Sequence, residues 1–141
     1  MAIWTQISPG ELWDRVIITE LKHEHQPDEA KRIVLKRQFT ALRESWGQSP
    51  LSARVTANFT RLIRELRAVN EAGWELENFV RKDMTTSVTP STMSDVDIIR
   101  ATTDALERCW QAFDNNSKRN ALKREIDAEF DFDAADDKIH G

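Results

Sequence analysis

The chain has 141 residues, a net charge of −4 and a single cysteine. This is the length of one domain, and the acidic balance argues against nonspecific binding to nucleic acids or anionic membranes, which need a basic surface. No disulfide can form within the chain, the N-terminus has no secretory pattern and no apolar run reaches the roughly 18 residues of a membrane span, so the sequence predicts a cytoplasmic protein without nucleic-acid or membrane partners.

Two helices are predicted before residue 50. The sequence Ser-Pro-Gly-Glu at 8–11 is typical of a helix start, with serine as the cap and proline at the first helical position. This helix is expected to end near Gln26, before Pro27, and Asp28 and Gly47 are expected to begin and end the second. Their apolar residues repeat at helical spacing and are expected to face the core: Leu12, Trp13, Val16, Ile17 and Leu21, then Ile33, Val34, Phe39, Leu42 and Trp46.

The third helix is predicted to be long, from Ser49-Pro50 to about Lys82. Its apolar residues alternate in steps of four and three: Val55, Phe59, Leu62, Leu66, Val69, Gly73, Leu76 and Val80. This heptad pattern favours close packing against another helix at a shallow angle. Gly73 interrupts the pattern and would permit close approach of a second helix or of a ligand.

A loop rich in Thr, Ser and Pro is predicted over 84–93, and Ser94 or Asp95 is expected to cap a fourth helix that runs to about Glu129. Its apolar side consists of Ile99, Leu106, Cys109, Trp110 and Phe113, and the cysteine there is interpreted as inert packing. The sequence therefore predicts an all-α fold, a bundle of about four helices with one long central helix. The domain is expected to cover 1–130, followed by an irregular acidic tail over 131–141.

Polar side chains lie on or beside the apolar faces of three predicted helices. Beyond Phe113 the fourth helix turns polar, and the third carries a polar row in steps of four, three and four that ends at Arg81. Two interpretations are open: a hydrogen-bonded structural network, or a ligand pocket between helices. The candidate ligand-binding residues are Asp14, Glu20, Asn70, Trp74, Glu77, Asn116, Arg119 and Lys123.

In the pocket interpretation the side chains have distinct roles. Arg119 and Lys123, one turn apart, would hold a phosphate or carboxylate, so the ligand would be a nucleotide, nucleotide sugar or sugar phosphate. Glu77 or Glu20 would act as general base if burial raised its pKa. The two asparagines would orient the ligand. No catalytic residue is assigned by these patterns, and whether the chain is an enzyme stays open.

Metal chemistry finds little support in the sequence. One Glu-x-x-His motif, Glu20 with His23, is present, whereas di-iron bundles use two together with further glutamates. The acidic residues that Mg²⁺ could use lack the paired carboxylate spacing of helical nucleotide pyrophosphatases: Glu75, Glu77, Glu125, Asp127 and Glu129. The sequence therefore predicts no metal site and no cofactor.

Three stretches together resemble a bacterial family catalogued as a domain of unknown function. They are residues 7–22, the row from Asn70 to Arg81, and residues 116–127, in the family's order and at its approximate spacing. The chain departs from the family pattern at Asn78 and Ser117, where relatives tend to have Asp, and at Asp127, where they tend to have Asn. The resemblance implies a helical cytosolic protein. Relatives often lie beside genes for surface-glycan assembly, which points toward sugar or nucleotide-sugar metabolism, and the resemblance implies no activity or catalytic residue.

The heptad pattern and five tryptophans favour a binding or assembly protein. The partner would be a second copy of the chain, since two-fold dimers are the commonest oligomers, or another protein. A small enzyme or receptor for an anionic ligand is the alternative.

Overall fold

The chain is all-α, as predicted. The computed structural model describes residue 3 and residues 5–86 and 93–132. For residues 80–86 it describes the backbone alone. Within these ranges it contains four α-helices, one 3₁₀ turn and no strand. None of the described helices combines the length and the apolar character that crossing a membrane requires. The chain divides into two compact units, unit 1 over 1–68 and 120–141 and unit 2 over 69–119.

The first two helices lie close to their predicted bounds. Helix α1 runs Pro9–His25, with the Ser8 hydroxyl accepting a hydrogen bond from the Glu11 N–H, and α2 runs Glu29–Gln48 with Asp28 as its cap. Gly47 lies inside the last turn of α2 and does not end it. Most of the apolar face of α1 is buried as expected, with Trp13 half-buried. In α2 only Trp46 is buried, and Ile33 and Val34 are exposed.

The third helix begins later than the Ser-Pro signal suggests. Ser49 and Pro50 start a separate 3₁₀ turn, Pro50–Arg54, and α3 follows as Ala57–Thr86. The Thr56 hydroxyl accepts from the Phe59 N–H and so provides a second cap. Val55 therefore lies between the two elements in extended conformation and is exposed, so it does not belong to the heptad stripe. Of the predicted loop over 84–93, residues 84–86 belong to α3, and residues 87–92 lie outside the described residues.

Helix α4 runs Asp95–Glu129, capped by Ser94, whose hydroxyl accepts from the Asp97 N–H. At its end the N–H of Phe132 donates to the Asp127 carbonyl and the N–H of Asp131 to the Ala128 carbonyl. This is the Schellman arrangement, and Asp131 has the positive φ of 54° that glycine usually supplies. Of the predicted acidic tail, residues 133–141 lie outside the described residues.

Unit 1 contains the core. Both α3 and α4 enter it with their apolar residues buried against α1 and α2: Leu12, Val16, Ile17, Leu21, Trp46, Phe59, Leu62, Leu66, Leu122, Ile126 and Phe130. An aromatic cluster lies at its centre, where Trp46 stacks on Phe59 at 5.5 Å and both rings meet Phe130 edge to face. In unit 1 the apolar residues that α3 carries at heptad spacing are thus buried in the core of the chain.

Unit 2 is a hairpin of two helices, the second half of α3 and the first two thirds of α4. Here Asn115 donates a hydrogen bond of 3.0 Å to the Val69 carbonyl, and the guanidinium of Arg108 lies 4.1 Å from the centre of the Phe79 ring. Gly73 allows the first contact, since a Cβ there would lie 2.9 Å from the Asn115 amide nitrogen. Among the side chains described in this unit only Asn70 is buried, so this part of the hairpin has no buried apolar side chain.

Candidate functional site

The first candidate site is the junction between the start of α1 and the end of α4, within unit 1. Gly10 lies so close to α4 that a Cβ on it would be 2.3 Å from the Lys123 carbonyl oxygen. Its N–H, one of the free donors of the first helical turn, donates to the Asp127 carboxylate at 2.7 Å. The two helices are thus joined by a hydrogen bond from the backbone of α1 at Gly10 to the side chain of Asp127 on α4.

Lys123 is the cation of this junction, and its ammonium lies between two acids. Its Nζ is 2.5 Å from a carboxylate oxygen of Glu11 and 3.7 Å from a carboxylate oxygen of Asp14. Asp14 is only 1% exposed. Two of the predicted site residues, Asp14 and Lys123, are therefore brought together. Because two carboxylates surround this ammonium, its charge is already compensated inside the chain.

The pKa values of two carboxyl groups at the junction, those of Glu11 and Asp127, are shifted in opposite directions. The hydrogen bond from Lys123 is the largest influence on Glu11 and lowers its pKa. Burial is the largest influence on Asp127 and raises its pKa, although hydrogen bonds from Gly10 and Ser8 and the charge of Lys123 act the other way. The junction therefore favours the charged form of Glu11 and disfavours that of Asp127.

Glu20 belongs to a second polar cluster in unit 1. One of its oxygens contacts Arg43 on α2 at very short range, and the other lies 3.0 Å from Arg67 on α3. Arg67 also pairs with Glu24 at 2.6 Å. This cluster links three helices, and its carboxylates and guanidiniums are engaged with one another.

The other predicted site residues lie in unit 2. Asn70 is buried, Trp74 and Arg119 are half-buried, and Glu77 and Asn116 are exposed. It is Asn115, one residue before the predicted Asn116, that reaches α3. Among the described residues, no group of three His, Cys, Asp or Glu side chains is placed to hold a metal ion.

The second candidate site is the apolar face of α4 in unit 2, here named the α4 stripe. The stripe is exposed: Trp110 is 70% exposed, Phe113 67% and Leu106 59%. Cys109, beside it, is also exposed, so the prediction that this cysteine is inert packing is wrong. The spacing of the stripe is three and four residues throughout. Its members are Val96, Ile99, Leu106, Trp110 and Phe113, with Thr103 at the remaining position.

The α4 stripe is exposed because it lies on the far side of the helix from α3. Arg108 and Asn115 define the side that contacts α3. Each is two residues from a stripe member, Trp110 and Phe113, and two residues correspond to about 200° around a helix. The face towards α3 also holds the half-buried Ala101 and Ala105, so the bulky apolar residues of the stripe lie on the opposite face.

The chain matches no protein-family model, no curated protein and no solved structure. The resemblance to the bacterial family thus stays a prediction.

Sequence reasoning did not include Glu11, Gly10 and Asp127 among the site residues. The capping-box position of Glu11 was visible in the sequence, but its ion pair with Lys123 joins residues that are more than 100 positions apart. For the α4 stripe the heptad spacing was the available signal, and only the position of α3 decides which face of α4 is covered.

Proposed function

We propose that this protein is a cytoplasmic binding or assembly protein whose contact surface is the α4 stripe. The observation that carries the proposal is the exposure of bulky apolar side chains in heptad register on one helix face. Monomeric proteins rarely expose contiguous apolar patches above a few hundred Å² without a function for them, and apolar side chains at three- and four-residue steps are what helix-to-helix recognition uses.

The aromatic residues give this surface its strongest contact points. Trp110 and Phe113 meet edge to face at 6.2 Å between ring centres. Tryptophan and other large aromatic side chains dominate the energetics of protein interfaces because they bury a large area with few rotatable bonds. Both rings lie at the end of the stripe where the polar residues of α4 begin, so they mark one boundary of the surface.

An anionic-ligand receptor or enzyme remains the alternative prediction, and the contacts at Lys123 do not favour it. A phosphate or carboxylate would have to displace Glu11 from the ammonium or add a negative charge beside Asp14. Like charges at such range raise the free energy of a bound anion. The prediction that Lys123 recognises an anion would need the lysine to leave its present partners.

Site-specific photo-crosslinking in native cells tests the proposed function. A photoreactive phenylalanine analogue replaces Trp110 in one variant and Gln111 in the control, an exposed neighbour on another side of α4. We expect a crosslinked protein adduct from position 110 and none from position 111. Equal adducts from both positions, or none from either, would contradict assembly through the α4 stripe.

A further inference from the structure

We infer that the occupant of the α4 stripe is a second copy of this chain, paired with it antiparallel along α4. The inference rests on the proposed function and names its partner. Unit 2 is a two-helix hairpin whose described side chains include no buried apolar residue. A second α4 would cover the apolar face that α3 leaves open.

The area of the stripe is sufficient for a dimer. Aromatic side chains bury about 150–250 Å² each, and with the exposures above the stripe leaves on the order of 500 Å² of apolar surface per copy. Two copies paired face to face would remove on the order of 1,000 Å², where specific interfaces begin, before flanking side chains are counted. The stripe from Val96 to Phe113 is about 26 Å long at 1.5 Å per residue.

Its side chains complement one another when the two-fold axis passes between Thr103 and Leu106. Trp110 then faces Ile99 of the partner subunit, and Phe113 faces Val96 of the partner subunit. Every layer therefore combines a larger side chain with a smaller one. A parallel pair would instead place Trp110 against Trp110 of the partner subunit and leave the small layers underfilled.

The one polar member of the stripe can be buried at low cost. The Thr103 hydroxyl donates to the Ile99 carbonyl of its own helix at 2.8 Å, so this hydroxyl would keep its acceptor at the interface. Thr102, at the edge of the stripe, does the same with the Ile98 carbonyl at 2.8 Å. Both threonines can therefore present their methyl groups to a second helix.

The charges at the edge of the stripe also favour the antiparallel arrangement. Arg100 and Glu107 are exposed and lie along one edge, one heptad apart. With the axis placed as above, Arg100 faces Glu107 of the partner subunit, and the symmetry repeats the pair. Opposite charges facing across the rim fix register and orientation more than they add affinity.

Sedimentation equilibrium of the full chain measures the dimer, with Leu106→Glu as the disrupting variant and Gln111→Glu as its control. The control adds the same charge to the same helix outside the stripe. We expect a dimer for the wild-type chain, a dissociation constant raised about 30-fold or more by Leu106→Glu, and no more than a small change for Gln111→Glu. A wild-type monomer at all concentrations, or equal effects of both variants, would overturn the inference.

Charge reversal keeps the test decisive if Leu106→Glu folds poorly. Arg100→Glu and Glu107→Arg should each weaken the dimer by about 3- to 10-fold, and the double variant should restore it, because its charges again face opposite charges across the axis. Two single effects that add up in the double variant would overturn the antiparallel register.

Thiol crosslinking reports the orientation directly. Wild-type chain, which carries only Cys109, is mixed with a Thr102→Cys/Cys109→Ser variant or with an Asp114→Cys/Cys109→Ser variant, and a short bis-maleimide is added. Antiparallel pairing places Cys109 beside position 102 of the other copy, whereas parallel pairing places it beside position 114. Crosslinking through 102 supports the inference, and crosslinking through 114 overturns it.

A stripe-dependent adduct to a different protein in cells, together with a monomer in isolation, would overturn the second copy as partner and leave the proposed function standing.

Discussion

Helices α3 and α4 run through both units of this protein, and they bury their apolar residues in only one of them. In unit 1 Leu62 and Leu66 of α3 and Ile126 of α4 are 0–1% exposed, whereas in unit 2 Leu106 of α4 is 59% exposed. The same heptad spacing is present in both. The difference is that α1 and α2 belong to unit 1, so four helical segments enclose a core there and two do not. An apolar stripe is thus a core or a contact surface according to what lies beside it.

Truncation of one leucine in each unit should give the largest difference in stability. Leu66→Ala removes a side chain that is fully buried in unit 1 and should lower the free energy of unfolding by about 2–5 kcal/mol. Leu106→Ala removes the same atoms from the α4 stripe and should cost about 0.5 kcal/mol or less in protein diluted to the monomer. Urea unfolding followed by circular dichroism compares the two. Equal losses would mean that Leu106 is part of a core after all.

Alanine at three glycines should rank the closeness of helix contacts. Gly10→Ala would place a Cβ 2.3 Å from the Lys123 carbonyl, a backbone atom, so α1 must move and stability should fall by about 1–3 kcal/mol. Gly47→Ala has nothing within 4 Å and should stabilise α2 by about 0.5–1 kcal/mol.

Gly73→Ala is the corresponding change in unit 2, where the close atom is the mobile end of the Asn115 side chain. The gain in helix propensity and the loss of the hydrogen bond to Val69 should nearly cancel, leaving a change within about 0.5 kcal/mol. Thermal unfolding of the three variants gives the order. A loss at Gly73 as large as at Gly10 would show that the hairpin is as tightly packed as unit 1.

The charged junction of unit 1 should respond to pH through two opposed carboxyls. The pKa of Asp127 is raised by burial, so its contribution to stability is present below the unfolded-state pKa and falls as pH rises through the folded-state pKa. Asp127→Asn should therefore compare more favourably with the wild-type chain as pH increases. The pKa of Glu11 is lowered, so Glu11→Gln should compare less favourably over the same increase.

Urea midpoints measured between about pH 3 and pH 7 test these slopes, with low pH as the shared reference. Parallel curves for Asp127→Asn and the wild-type chain would contradict a raised pKa at this site. The α4 stripe offers no such pH dependence of its own, since its members are uncharged.

A small gain in stability is expected at the end of α4. Asp131 has φ 54°, a conformation that glycine adopts without steric cost, and its ion pair with Arg54 is at 3.6 Å with the aspartate almost fully exposed. Asp131→Gly should raise the free energy of unfolding by roughly 0.5 kcal/mol, after the added freedom of glycine in the unfolded chain is counted. Calorimetry of this variant beside Asp131→Ala, which keeps the strain, would sharpen the value. A loss with glycine would contradict the strain at this position.

Local sequence patterns are sufficient to predict the helices and most of their ends. The start of α1 at Pro9 and the caps Asp28 and Ser94 follow from local hydrogen bonding between a side chain and the next turn of backbone, which needs no tertiary contact. The same local chemistry misplaced the start of α3, because Ser49-Pro50 also suits a 3₁₀ turn and Thr56 supplied a second cap.

Which apolar faces are covered and which polar residues meet depends on tertiary packing. Periodicity shows that Leu66 and Leu106 lie on apolar faces, but burial depends on a neighbouring helix from elsewhere in the chain, and that neighbour is present for the first and absent for the second within the described residues. The meeting of Lys123 with Glu11 and Asp14 is likewise a long-range contact, fixed by how closely Gly10 lets α1 approach α4. Local propensity acts over a few residues, whereas packing joins residues whose separation in the sequence does not fix their distance in space.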